Sequence, residues 1–191
     1  MSDFTTVMNE MREYHKSALG QARPQAFVPS TAKLQTYLGA AAKAAKGAKG
    51  EGLAKLKLLA QSLAQDESAT IKNGIVGALE GYRKAGNGPA AVDAFKKTLE
   101  QQRDAAKSEA SRDLDKLYDE AIALGEKEPG IQGAVAYQMG CISDFFSALF
   151  ERISEFLTQA WESISTWLSE AWANIQAFFT NLWAWIASWF D

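Results

Sequence analysis

Apolar residues recur three or four apart along most of the chain, and no stretch of useful length alternates apolar with polar. The pattern predicts an all-α protein. Phe4, Val7, Met8, Met11 and Tyr14 place an amphipathic helix over residues 3–20. The segment QARPQAFVPS (21–30) carries two Pro and ends it. Ser30 or Thr31 is placed to cap a second helix holding Leu34, Tyr37 and Leu38, which the three Gly of GAKGEG (47–52) close. A third helix is expected over 53–65. Ser68 reads as the cap of a fourth, with Ile71, Ile75, Val76, Leu79 and Tyr82 on its apolar face. The loop GNGP (86–89) puts Pro89 in the first turn of a long helix over 89–124, and EKEPG (126–130) ends that helix. Residues 1–127 thus read as a soluble bundle of about five helices. Residues 128–138, with Gly133, read as a hinge.

The remaining segment, 139–191, carries the most specific pattern. In blocks of eleven from Met139 it reads MGCISDFFSAL, FERISEFLTQA, WESISTWLSEA, WANIQAFFTNL, WAWIASWFD. The first position is Met139, Phe150, Trp161, Trp172 and Trp183. The fourth is always Ile: Ile142, Ile153, Ile164, Ile175 and Ile186. The seventh is always aromatic: Phe145, Phe156, Trp167, Phe178 and Trp189. The eighth is Phe146, Leu157, Leu168, Phe179 and Phe190. Eleven residues in three turns is ~3.67 per turn, so such a stripe barely drifts around a straight helix. The positions fall within an arc of roughly 130°. After Gly140 no Gly or Pro interrupts the segment, which predicts one unbroken helix of ~80 Å.

An uncovered face of this kind costs tens of kcal/mol, at ~1.5–3 kcal/mol for each large apolar side chain left wet. The expected cover is lipid, further copies of the chain, or a protein partner. The contacts would be Phe150, Ile153, Phe156, Leu157, Trp161, Ile164, Trp167, Leu168, Trp172, Ile175, Phe178, Phe179, Trp183, Ile186, Trp189 and Phe190. From Ala171 to Phe190 there is no charge, and twenty residues is the length of a bilayer span. Asn174, Gln176, Thr180, Asn181 and Ser188 interrupt it, so an assembly that turns them inward is expected in place of a lone span. The polar face carries Asp144, Glu151, Glu155, Glu162 and Glu170, where an ordinary surface-lying helix carries Lys and Arg. The periodicity resembles the eleven-residue repeats of lipid-surface proteins such as apolipoproteins and synucleins. It also resembles the Trp- and Ile-rich stretches of phage tape-measure proteins. The resemblance covers residues 139–191, concerns periodicity alone and identifies no family.

Composition sharpens this division. All six Trp and seven of ten Phe lie from Phe145 onward, while Arg152 alone of the twenty Lys and Arg lies beyond Lys127. The net charge of −3 excludes a general polyanion binder, so nucleic acid is not an expected partner. The six Lys between Lys33 and Lys57 read as a solvated face. One His and one Cys exclude the usual zinc sites, and no cofactor is expected. His15 reads as a surface or packed residue and Cys141 as a packing residue. Asp113, Asp115, Asp119 and Glu120 alternate with Arg112 and Lys116, which predicts surface ion pairing. No nucleophile–base pair stands out. The start MSDFTTVMNEMREYH lacks the apolar run of a secretory signal, so synthesis in the cytosol is expected, followed by membrane association or export by a non-classical route. The expected function is that of a non-enzymatic, membrane-active helical protein whose aromatic tail inserts and oligomerises, as in a pore-forming toxin, an effector, or a virion or injection-machine component. The alternative is a structural protein whose tails assemble a soluble stalk or tube, coiled-coil fashion.

Overall fold

A computed structural model describes residues 2–45 and 47–191, and all of its regular structure is helical. Among the described residues the α-helices are α1 (Asp3–Ala18), α2 (Ala32–Ala44), α3 (Glu51–Lys84), α4 (Pro89–Lys127), α5 (Gln132–Glu162), α6 (Ile164–Ser169) and α7 (Ala171–Phe190). A 3-10 turn, Pro129–Ile131, lies between α4 and α5. The Thr31 hydroxyl accepts from Leu34 N and caps α2, as expected; the Ser2 hydroxyl, which the sequence does not single out, accepts from Thr5 N and caps α1. Gly86 and Asn87 take the left-handed conformation in the loop before Pro89.

Two expectations about helix number are corrected. The separate helices over 53–65 and from Ser68 are one helix, α3. Ser68 is buried within it, and its hydroxyl donates to Ala64 O one turn back. Nothing between residues 65 and 68 breaks a helix, and burial runs through Ala60, Ala64, Glu67, Ile71 and Ile75 at spacings of three and four. The described residues of 1–127 therefore hold four α-helices, not about five.

The second correction is larger. The segment from Cys141 to Asp191 is not one helix: it is interrupted at Ser163 and Glu170, whose ψ angles of 36° and 20° depart from the helical value. The chain reverses there. Phe156 and Phe178 stack with centroids 4.0 Å apart, and Arg152 lies 4.4 Å from the Trp185 ring. On an unbroken helix those pairs would be ~33 Å and ~50 Å apart. The interruptions forfeit a few hydrogen bonds at ~0.5–1.5 kcal/mol each. Burying Trp167, Ile175, Phe179, Leu182 and Ile186 returns ~8–15 kcal/mol. Folding back wins without any Gly or Pro. Polar side chains soften the cost: the Asn174 amide donates to Trp167 O (3.4 Å) and the Ser169 hydroxyl to Thr166 O (2.6 Å).

The chain forms two compact units. One comprises residues 1–60 and 111–148; the other comprises 61–110 and 149–191. These limits differ from the 1–127, 128–138 and 139–191 pieces that composition suggests.

In the first unit, ion pairs join Arg12 to Asp119 (2.6 Å) and Lys16 to Asp115 (2.9 Å), tying α1 to the second half of α4. Asp113 is buried and bonded to Lys116 at 3.1 Å, so only part of the acidic run is a surface feature. The Tyr118 hydroxyl and Ser143 share a buried hydrogen bond of 3.0 Å between α4 and α5. Residues 132–138, expected in the hinge, are the first turns of α5. A Cβ on Gly133 would stand 2.9 Å from Ala41 Cα, so this glycine lets α5 approach the backbone of α2. Of the lysine-rich stretch, Lys33 pairs with Asp3 and Lys55 with Glu51, both exposed; Lys46 lies outside the described residues.

His15 is buried beside Tyr14 and Phe27. Burial lowers its pKa to about 4, so it is neutral at pH 7. An unfolded His titrates near ~6.5. Between these values the unfolded chain takes up the extra proton, so stability falls as pH drops through this window and is unaffected by His15 above it. The His15 contribution to unfolding free energy should drop by about 1.5 kcal/mol from pH 6.5 to pH 5. Urea unfolding at the two pH values checks this: His15→Phe should show a correspondingly smaller pH dependence, and an equal dependence in both proteins would contradict it.

Candidate interaction surface

In the second unit an aromatic cluster fills the space between helices. Phe156 of α5 stacks on Phe178 and meets Phe179 (6.1 Å) and Trp167 (5.9 Å) edge-on. Trp167 continues to Phe95 of α4 at 5.8 Å, and Phe95 to Tyr82 of α3 at 6.1 Å. Offset and edge-to-face pairs of this kind add ~0.5–1.5 kcal/mol each beyond burial. Ile153, Leu157 and Ile164, and Ile175, Leu182 and Ile186 of α7, are buried in the same unit.

The residues expected as lipid or oligomer contacts divide into three groups. Phe150, Ile153, Phe156, Leu157, Ile164, Trp167, Ile175, Phe179 and Ile186 are buried in this core. Leu168, Phe178 and Phe190 are half-buried. Trp161, Trp172, Trp183 and Trp189 remain 40–48% exposed. Three of these four occupy the first repeat position, eleven residues apart. The α5–α7 reversal therefore buries the fourth-position Ile153, Ile164, Ile175 and Ile186 and leaves the first-position indoles of Trp161, Trp172 and Trp183 partly toward solvent.

Cations from elsewhere in this unit sit over indole faces. Lys96 Nζ lies 4.7 Å from the Trp161 ring, Lys72 Nζ 4.6 Å from Trp183, and the Arg152 guanidinium 4.4 Å from Trp185. At exposed sites such contacts contribute about 0.5–1 kcal/mol. Sequence reasoning missed them because Lys72 and Lys96 lie on other helices; only the fold brings them to the tryptophans. Beside Trp161 a cleft of about 250 Å³ opens between Leu99, Glu100 and Arg103 of α4 and Leu157, Thr158 and Glu162 of α5.

No helix among the described residues is long and apolar enough to cross a membrane, and none of their His, Cys, Asp and Glu form a metal-holding group. Compared with known proteins, the chain matches no family model, no curated protein and no solved structure.

Burial separates the residues that hold the unit together from those that do not. Phe179→Ala should cost about 3–5 kcal/mol, the range for a buried Phe. Trp172→Ser, at a position 48% exposed, should cost less than about 1 kcal/mol. Urea denaturation followed by circular dichroism measures both. Comparable losses would show that the exposed indoles belong to the core energetics.

Proposed function

We propose that this chain is a non-enzymatic, membrane-active helical protein, that the folded-back tail is its closed form, and that Trp161, Trp172, Trp183 and Trp189 make first contact with a lipid interface. The observation that carries the reading is the exposure of these four indoles on helices whose other aromatic positions are mostly covered. Indoles suit the headgroup boundary, where the ring meets acyl chains and the N–H meets water. Lys96 over Trp161 and Lys72 over Trp183, with Arg152 over the half-buried Trp185, suit anionic headgroups, at ~1 kcal/mol per basic residue. The acids Glu162 and Glu170 oppose that attraction, so the apolar term dominates and anionic lipid modulates it.

The closed form offers only part of each indole, hence a gain of a few kcal/mol and weak, reversible attachment. Stronger engagement follows if α6 and α7 swing away about Ser163 and Glu170. That motion offers Phe156, Phe178 and Phe179 to acyl chains and leaves Asn174, Thr180 and Asn181 to meet their counterparts in an oligomer. The hinge then lies within the tail, in place of residues 128–138.

Vesicles provide the test. The full chain is mixed with dye-loaded vesicles of zwitterionic or anionic lipid, and flotation, tryptophan emission and leakage are read. The expected result is flotation with a blue-shifted emission, stronger on anionic vesicles, and leakage that Trp172→Glu reduces at least about tenfold. A charge placed at bilayer depth costs ~2.5–3.5 kcal/mol, which sets that factor. No flotation and no leakage, together with a stable soluble oligomer that Trp172→Glu dissociates, would replace this reading with assembly of a protein stalk or tube.

A further inference from the structure

A second feature lies wholly in the first unit and does not depend on the membrane reading. A cleft of about 450 Å³ opens between the end of α1, the segment 24–27, α2 and α5. Its size falls among small-molecule sites, ~300–1,000 Å³. Tyr14, Phe27 and Tyr137 line it with aromatic side chains, and Met11, Leu38 and Ala136 with aliphatic ones. The outer wall is held in place from both sides. The Tyr14 hydroxyl donates to Gln25 O, and Glu10 accepts from both the Ser30 hydroxyl and Ser30 N (2.9 Å for the latter). These bonds tie the segment between α1 and α2 to α1.

The charge of the lining is one-sided. Among the described residues Asp144 is the only charged side chain on it. The nearby cations of α1 are turned to other work: Arg12 pairs with Asp119 and Lys16 with Asp115. His15, also on the lining, is neutral at pH 7 and does not repel a cation. An uncompensated carboxylate beside three aromatic rings is the chemistry that recognises an organic ammonium, by ion pairing and by attraction to ring faces.

We propose that this cleft binds a small organic cation, an aromatic or aliphatic body carrying an ammonium group, with Asp144 as its counter-ion. The apolar body lies against Tyr14, Phe27 and Tyr137, and the ammonium meets the carboxylate at the rim.

Cys141, the chain's one cysteine, is exposed on the same lining and supplies a native reporter. Cys141 is thus a solvent-facing thiol, not the packing residue that the sequence predicts. The rate of Cys141 alkylation by N-ethylmaleimide is followed by intact mass on the full chain. Two probes of one shape compete: 1-naphthylmethylamine, a cation at pH 7.5, and neutral 1-naphthalenemethanol. The amine should slow alkylation saturably at millimolar concentration or below, and the alcohol should need about tenfold more. Asp144→Asn should bring the amine to the level of the alcohol. Ala42→Trp, a substitution at an exposed helical position on the lining, should weaken both probes by filling the cleft. Helical circular dichroism confirms that each variant is folded. No saturable protection by the amine, or protection by amine and alcohol alike that Asp144→Asn leaves unchanged, would overturn the proposal.

Discussion

The second unit depends on one constraint: a run of aromatic and branched side chains from Phe150 to Phe190 cannot be left against water. A helix is the natural response to its spacing, and a helix alone leaves one face wet. The chain resolves the conflict by giving up helical hydrogen bonds at Ser163 and Glu170, so that Phe178 and Phe179 return to Phe156. The local preference for continuous helix is worth about 1 kcal/mol per bond, whereas each large side chain covered is worth more. The cover that the sequence demands is therefore supplied in large part by the chain itself.

This balance explains which features were legible in the sequence. The cap at Thr31, the loop before Pro89 and the end of α4 near Lys127 rest on local chemistry, and local chemistry is written in single residues. The reversal at Ser163 is not. No Gly or Pro marks it, and its cause lies in contacts between residues more than twenty positions apart. The merger of two expected helices into α3 has the opposite origin. Ser68 looks like a cap in sequence, yet its hydroxyl satisfies Ala64 O inside a continuous helix, because burial on both sides of it holds the helix together. The candidate surface was half legible. The eleven-residue pattern marks the relevant side chains, but only the fold divides them into buried and exposed sets. The cleft around Asp144 was not legible, since its lining comes from four separate segments.

The same division orders the functional reading. In the proposed reading, side chains that serve the core become available only once the tail opens, which makes the exposed tryptophans the proposed first points of contact and the buried phenylalanines a reserve. The cations over Trp161, Trp183 and Trp185 come from α4, α3 and α5 and are held by the closed form. On the proposed opening the two forms would present different chemistry: indoles with basic neighbours in the first case, a bare apolar helix in the second.

The fold-back is the central claim, and a distance within the tail tests it most directly. Nitroxide labels at residues 151 and 184, both exposed positions beside Arg152 and Trp185, can be introduced in a Cys141→Ser background. Double electron–electron resonance then reports their separation in water. The reversal predicts a dominant distance well below 30 Å, since the neighbouring Arg152 and Trp185 side chains are 4.4 Å apart and each label adds several ångströms. A dominant distance near the ~50 Å of an unbroken helix in water would contradict it.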